Sequence, residues 1–209
     1  MTKGIARLVG SLLLTMSLSG ICWAQNARYK LDGRVGYLTS LDKEYESTAV
    51  MVIDFQYALT STFALRFGAG FTNLNGPDRL LLDIPSLIEY LEDYLSYRVD
   101  HVKIDQQYFY FDVVISAGKK KLTPYMCAGV GVYQFLYSQT VFGLLPITEE
   151  EEPIPLYWRD NNLGVIIGGG VDYYMTEFLS LKFEGLYHKI LNSYIKQQVT
   201  FTAGFGFNF

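Results

Sequence analysis

Val199–Phe209 reads VTFTAGFGFNF, and its side chains alternate without a break. Val199, Phe201, Ala203, Phe205, Phe207 and Phe209 fall on one face, and Thr200, Thr202, Gly204, Gly206 and Asn208 on the other. A period of two is the pattern of a β-strand. The same pattern recurs upstream. Phe63, Leu65, Phe67, Ala69 and Phe71 oppose Ala64, Arg66, Gly68 and Gly70; Phe109, Phe111, Val113 and Ile115 oppose Tyr110, Asp112 and Ser116. Leu31, Gly33, Val35 and Tyr37 oppose Lys30, Asp32, Arg34 and Gly36, and Leu179, Leu181, Phe183 and Tyr187 oppose Ser180, Lys182, Glu184 and His188.

Eight strands are predicted, over 29–38, 48–59, 63–71, 105–117, 123–137, 163–174, 178–188 and 198–209. Their lengths suit membrane-crossing β-strands of about 9–11 residues. The fifth, TPYMCAGVGVYQFLY, lacks a clean apolar face, and a bulge is expected in it.

The composition agrees with an all-β chain carrying much apolar surface. Of 209 residues, 17 are Tyr, 14 Phe and 19 Gly, and only 18% are charged; ordinary soluble domains carry about 25%. Aromatic residues favour strands, and glycine suits tight bends and close packing in a curved sheet. A net charge of -4 with no basic patch argues against nucleic-acid binding.

Residues 1–24 read as a secretory signal peptide cleaved after Ala24, leaving one domain over 25–209. Lys3 and Arg7 precede the apolar run Leu8–Ile21, and Cys22-Trp23-Ala24 ends on a small residue. The alternatives are a retained anchor, for which the run is short, and a lipoprotein signal, which needs a small residue where Ile21 stands. Cleavage removes Lys3, Arg7 and Cys22, taking the net charge from -4 to -6 and leaving Cys127 alone. A lone cysteine makes no internal disulfide, and two histidines, His101 and His188, make a structural zinc site a poor fit.

Alternation alone does not say which face points inward. In a soluble barrel or sandwich the phenylalanines face in; in a transmembrane barrel they face lipid and the polar face lines the lumen. Three features favour the membrane arrangement. Links after the second, fourth and sixth strands are tight (60–62, 118–122, 175–177), whereas those after odd strands are longer, near 39–47, 72–104, 138–162 and 189–197. Short turns at one end and long loops at the other follow the outer-membrane rule, with both termini at the periplasmic end. The sequence stops on Phe209, inside an aromatic strand, and residues 1–24 give access to the envelope. The soluble barrel, with an apolar ligand inside, is the alternative fold.

Three segments carry a resemblance. KKLTPYMCAGVGVY (Lys120–Tyr133), NLGVIIGGGVDYYMTEFLSLKFEGLYH (Asn162–His188) and Val199–Phe209 resemble the hairpins and closing strand of small outer-membrane β-barrel proteins of the OmpA/OmpW type. The resemblance spans essentially residues 25–209 and is strongest after residue 120. It implies an eight-stranded antiparallel barrel in the outer membrane of a Gram-negative bacterium, in contact with outer-membrane lipid and lipopolysaccharide. It also implies insertion by the barrel assembly machinery, with Phe205, Phe207 and Phe209 as the recognition signal. The long link between the third and fourth strands departs from the pattern.

With the polar face inward, Lys30, Arg34, Arg66 and Lys182 share the lumen with Asp32, Asp54, Asp112, Asp172 and Glu184. An eight-stranded barrel is just wide enough for side chains to fill it. Near-balanced charges there should pair, because unpaired burial is costly. The expectation is a sealed lumen; the alternative is a narrow polar pore.

Within the long link, Ile84, Leu87, Ile88, Leu91 and Leu95 recur at helical spacing, with Asp83 as N-cap and Pro85 in the first turn. A short amphipathic helix over 83–98 is expected, covering the barrel mouth, lying on the membrane interface or offering a groove to an extracellular partner. Glu149–Glu152 reads as solvated loop, with divalent-cation binding as the alternative. Trp158 and the tyrosines near strand ends read as an interfacial girdle.

No catalytic, cofactor or metal site is expected. Some barrels of the resembled size are lipid A deacylases with a His-x-Ser-Asn strand motif. Here Ser193 lies five residues after His188 rather than two. His188 reads as a polar lumen residue and Cys127 as a small strand filler. The expected role is non-enzymatic, in envelope structure or surface-loop interaction. A narrow channel or transporter for a small or hydrophobic solute is the alternative, and a lipid A-modifying enzyme the remaining one.

Overall fold

The computed structural model describes residues 28–42, 45–76, 97–99, 102–117, 120–144 and 151–209. The signal-peptide reading of residues 1–24 lies outside them. The described residues form nine strands: β1 (Tyr29–Ser40), β2 (Thr48–Ala58), β3 (Phe63–Gly76), β4 (Tyr97–Val99), β5 (Val102–Ser116), β6 (Leu122–Leu144), β7 (Glu151–Tyr174), β8 (Leu179–Ile190) and β9 (Gln197–Asn208). All pairings are antiparallel. Eight strands run β6-β5-β3-β2-β1-β9-β8-β7 and close through β6–β7, while β4 adds to the β6 edge at Val141–Gly143. The start of β1 meets the last residue where Tyr29 and Phe209 exchange backbone hydrogen bonds of 3.0 and 2.9 Å.

Two tight turns at that end share one construction. Thr60 Oγ1 accepts from the amides of Thr62 and Phe63, and Thr176 Oγ1 accepts from those of Phe178 and Leu179. The threonine hydroxyl adds to the backbone bonds that close each turn, from Leu59 N and Thr60 N to Phe63 O and from Met175 N and Thr176 N to Leu179 O.

The faces sort as the charge argument requires. The core charges are buried, whereas Phe67, Phe109, Phe183, Phe201 and Phe205 are each more than half exposed on the outside. The soluble alternative needs those phenylalanines inside, and they are outside. The apolar face of β9 runs ten steps from Val199 to Phe209. At about 3.3 Å per residue and a tilt of about 40°, it forms a belt roughly 25 Å tall. Gln107, Gln134 and Asn161 lie level across β5, β6 and β7 and replace the apolar outward residues above it.

Several expectations are corrected. The link read over 138–162 is mostly strand: β6 continues to Leu144 and β7 starts at Glu151, so the acidic run ends inside a β-ladder. Pro153 and Pro155 are tolerated there because odd-numbered residues of β7 turn their backbone away from β6, as the bond from Leu191 N to Leu163 O shows. A proline on a free edge removes no ladder bond. The expected bulge in β6 is absent; its register with β5 and β7 is continuous from end to end. The helix expected over 83–98 lies outside the described residues as far as 96, and Tyr97 and Arg98 belong to β4 instead. Trp158 is not a girdle residue. It shares parity with the inward Ile166 and stacks on buried Tyr137 at 4.3 Å.

Candidate functional site: the barrel interior

Two fillings meet inside the barrel. The half nearer Tyr29 and Phe209 holds charge. Lys30 bridges Asp32 at 3.2 Å and Asp172 at 2.7 Å. Lys182 bonds Asp32 at 2.8 Å and lies 3.6 Å from Asp54. Arg34 pairs with Asp54 and with Glu184, and donates to Tyr110 at 3.0 Å and Thr202 at 3.1 Å. Arg66 grips Asp112 through Nε (2.9 Å) and Nη2 (2.5 Å) and reaches across to Glu184. The Tyr125 hydroxyl donates to Glu184 at 2.7 Å. All nine charges predicted for the lumen are therefore in it, in one connected network. Glu184 is its hub, held by β1, β3 and β6 at once. Charges this buried are tolerated only when paired and hydrogen-bonded.

Glycine makes room for this network. A Cβ on Gly204 would lie 2.6 Å from Arg34 Cα, on the path Arg34 takes past β9. Tyr108 and Tyr110 lie over Gly70 and Gly68 of the neighbouring strand, where an added Cβ would meet the rings at 2.0 and 2.2 Å.

Above the charges lies an aromatic layer. Tyr108 stacks on Tyr133 at 5.6 Å, and His188 stands edge-on to both. His188 Nδ1 is 2.8 Å from the Tyr133 hydroxyl and Nε2 is 3.1 Å from Thr200 Oγ1. Gln106 of β5 and Gln198 of β9 exchange two amide bonds across the lumen, at 2.9 and 2.8 Å. The far half is mainly apolar: Leu38, Leu74, Val102, Ile104, Phe135, Tyr137 and Ile190 are buried together, with Gln139 buried between the inward Tyr137 and Val141. Two links fold into it, bringing Tyr45 from between β1 and β2 and Ile195 from between β8 and β9. Asp42 pins the second link by accepting from the amides of Lys196 (2.7 Å) and Gln197 (3.2 Å).

His188 is thus a lumen residue with both ring nitrogens engaged, sealed from the outer surface. Ser193 instead caps the Ile195 amide at 3.3 Å. Cys127 is buried and in no disulfide among the described residues, with Arg66 Nη2 3.2 Å from its sulfur. Sequence reasoning missed the roles of Gln106, Tyr108, Tyr125 and Gln198. The signal was parity: Gln106 and Tyr108 fall on the same face as Tyr110 and Asp112.

No protein-family model matches the chain, and no curated protein matches it in sequence. Solved structures do match. The outer membrane protein OprG from Pseudomonas aeruginosa aligns at 13% identity with a TM-score of 0.54, covering 87% of this chain and 95% of that one. A major outer membrane protein from Thermus thermophilus aligns at 13% identity and 0.51, covering 87% and 99%. The N-terminal β-barrel domain of Pseudomonas aeruginosa OprF aligns at 18% identity and 0.49, covering 88% and 100%. With its closed eight-stranded sheet, its outward phenylalanines and its charged interior, the chain has the fold of the small eight-stranded outer-membrane β-barrels.

Proposed function

We propose that the chain is an integral outer-membrane protein whose barrel is a sealed anchor, holding its long-link end outside the cell and its termini in the periplasm. The observation that carries this reading is the double closure of the lumen. A paired charge network centred on Glu184 fills one half, and an apolar plug closed by Tyr45 and Ile195 fills the other. A continuous water path needs polar walls along its whole length, and the mainly apolar half offers them at few positions.

The role is non-enzymatic: envelope structure and display of the outer links. Lipid A chemistry by His188 is disfavoured by its position, because a lipid headgroup lies outside the wall and His188 is enclosed within it. The outward Phe205, Phe207 and Phe209 serve as the signal to the assembly machinery, and the belt contacts lipid and lipopolysaccharide.

Planar-bilayer recording of the purified full-length chain tests the sealed-anchor reading. No steady conductance above the bare bilayer is expected. A stable open state would favour the channel reading instead.

A further inference from the structure

β7 leaves part of one edge unpaired. β8 pairs with β7 only from Gly164 to Tyr174, whereas β6 pairs with it from Glu151 to Tyr173. The β6–β7 hairpin therefore projects past the barrel wall. Parity sets which backbone groups are free. Odd residues face the β8 side, as the 2.8 Å bond from Leu191 N to Leu163 O and the 3.0 Å bond from Met175 N to Leu179 O both require. Tyr157, Arg159 and Asn161 consequently offer N–H and C=O groups to an empty edge among the described residues. Successive groups are about 6.8 Å apart, as on any strand edge. The window is bounded on one side by Pro155, which has no N–H, and on the other by the Leu163–Leu191 bond.

Beside this edge runs an open groove of about 870 Å³ between β7 and the link joining β8 to β9. Arg159, Lys189 and Lys196 line it against a single carboxylate, Asp160, and Leu191 and Tyr194 add apolar contact. Three cations beside an unpaired edge stand out in a chain whose net charge is -4. The window lies above the apolar belt, which ends at Leu163, so it faces water rather than lipid.

We propose that the Tyr157–Asn161 edge of β7 is a docking strand for an extended, carboxylate-bearing segment of a partner polypeptide. The partner strand adds to the sheet through backbone bonds to residues 157, 159 and 161. Its acidic side chains meet Arg159, Lys189 and Lys196. Strand addition takes affinity from the backbone and specificity from alternate side chains. A second copy of this chain is a poorer occupant. Two β7 edges paired about a twofold centred on Arg159 would set two arginines opposite each other, and like charges directly opposite destabilise a strand pair. The inference rests on the proposed external display of this end only for where the partner comes from; the binding itself is tested on purified protein.

The test uses the full chain in nanodiscs and a fluorescein-labelled heptapeptide of alternating valine and glutamate, read by anisotropy. Saturable binding is expected, at least tenfold tighter than for a valine–lysine peptide. Backbone N-methylation of the peptide should abolish it. Arg159→Pro should also weaken it at least tenfold, because it removes an edge N–H and a cation together. That variant keeps the β6–β7 ladder, since the nitrogen faces the free edge. Arg159→Glu should reverse the preference between the two peptides. Equal binding of both peptides, binding that survives N-methylation, absence of binding, or dimers of the chain in native mass spectrometry would each overturn the proposal.

Discussion

Arg34 on β1 and Glu184 on β8 are paired past Gly204 of β9, the strand between them. The guanidinium crosses β9 where that strand has no side chain and then donates to Thr202 as well. The other oxygen of Glu184 takes Arg66 from β3 and the Tyr125 hydroxyl from β6. One carboxylate thus ties together four strands that are far apart in sequence.

Removing that carboxylate leaves two buried guanidinium groups short of a partner. Glu184→Ala should lower unfolding free energy by about 3–5 kcal/mol, the usual cost of breaking a buried ion pair by deleting one side. Urea titration of the protein in lipid vesicles measures it. An effect under about 1 kcal/mol would mean that the network is not a structural tie.

Gly70 and Tyr108 make a second, separable test. Gly70→Ala places a methyl group where the Tyr108 ring lies and should cost about 1–3 kcal/mol through overpacking. Tyr108→Ala carries its own penalty, but in that background the Gly70→Ala penalty should largely vanish. A double-mutant cycle reads the coupling, and additive penalties would show that the ring moves aside freely.

Lipid contact predicts a depth dependence. Phe183 is exposed in the middle of the belt and Gln134 lies in the polar collar above it. Phe183→Arg should cost about 2–4 kcal/mol and Gln134→Arg about 0–1 kcal/mol when folding into bilayers is followed by gel mobility. Equal costs would place the two residues in the same environment.

The parity of β7 can be read by fluorescence. Trp23 and Trp158 are the two tryptophans, so Trp158 reports alone once residues 1–24 are removed. Partly buried and stacked on Tyr137, it should be quenched by acrylamide less than an indole on the outer face of the strand. The pair Trp158→Phe with Tyr157→Trp moves the indole to the opposite face of the strand and should raise the quenching constant severalfold. Similar quenching in both proteins would deny the alternation above the barrel rim.

Much of this was legible in the sequence. Arg66 and Asp112, written among alternating phenylalanines on two strands, could belong only to an enclosed polar face or a solvated one. Exclusion of the phenylalanines from the interior resolves that choice. What the sequence hid has a physical cause in each case. The outer half of β6 turns Tyr133, Phe135 and Tyr137 into an apolar interior, so apolar side chains occupy both faces and the alternation fades. Pro153, Pro155 and Glu149–Glu152 carry the composition of a loop. The prolines nevertheless fit a strand because their nitrogens face an edge that has no partner among the described residues. Trp158 reads as a girdle residue for the same reason: with 138–162 taken as loop, its parity has no meaning.

The outward phenylalanines and the filled interior describe a closed barrel embedded in the outer membrane. Fractionation of cells expressing the full chain, followed by gel electrophoresis with and without boiling, tests it most directly. The prediction is a band in the outer-membrane fraction whose mobility changes on heating, as a compact barrel opens to an unfolded chain. A soluble periplasmic protein with the same mobility before and after heating would contradict it.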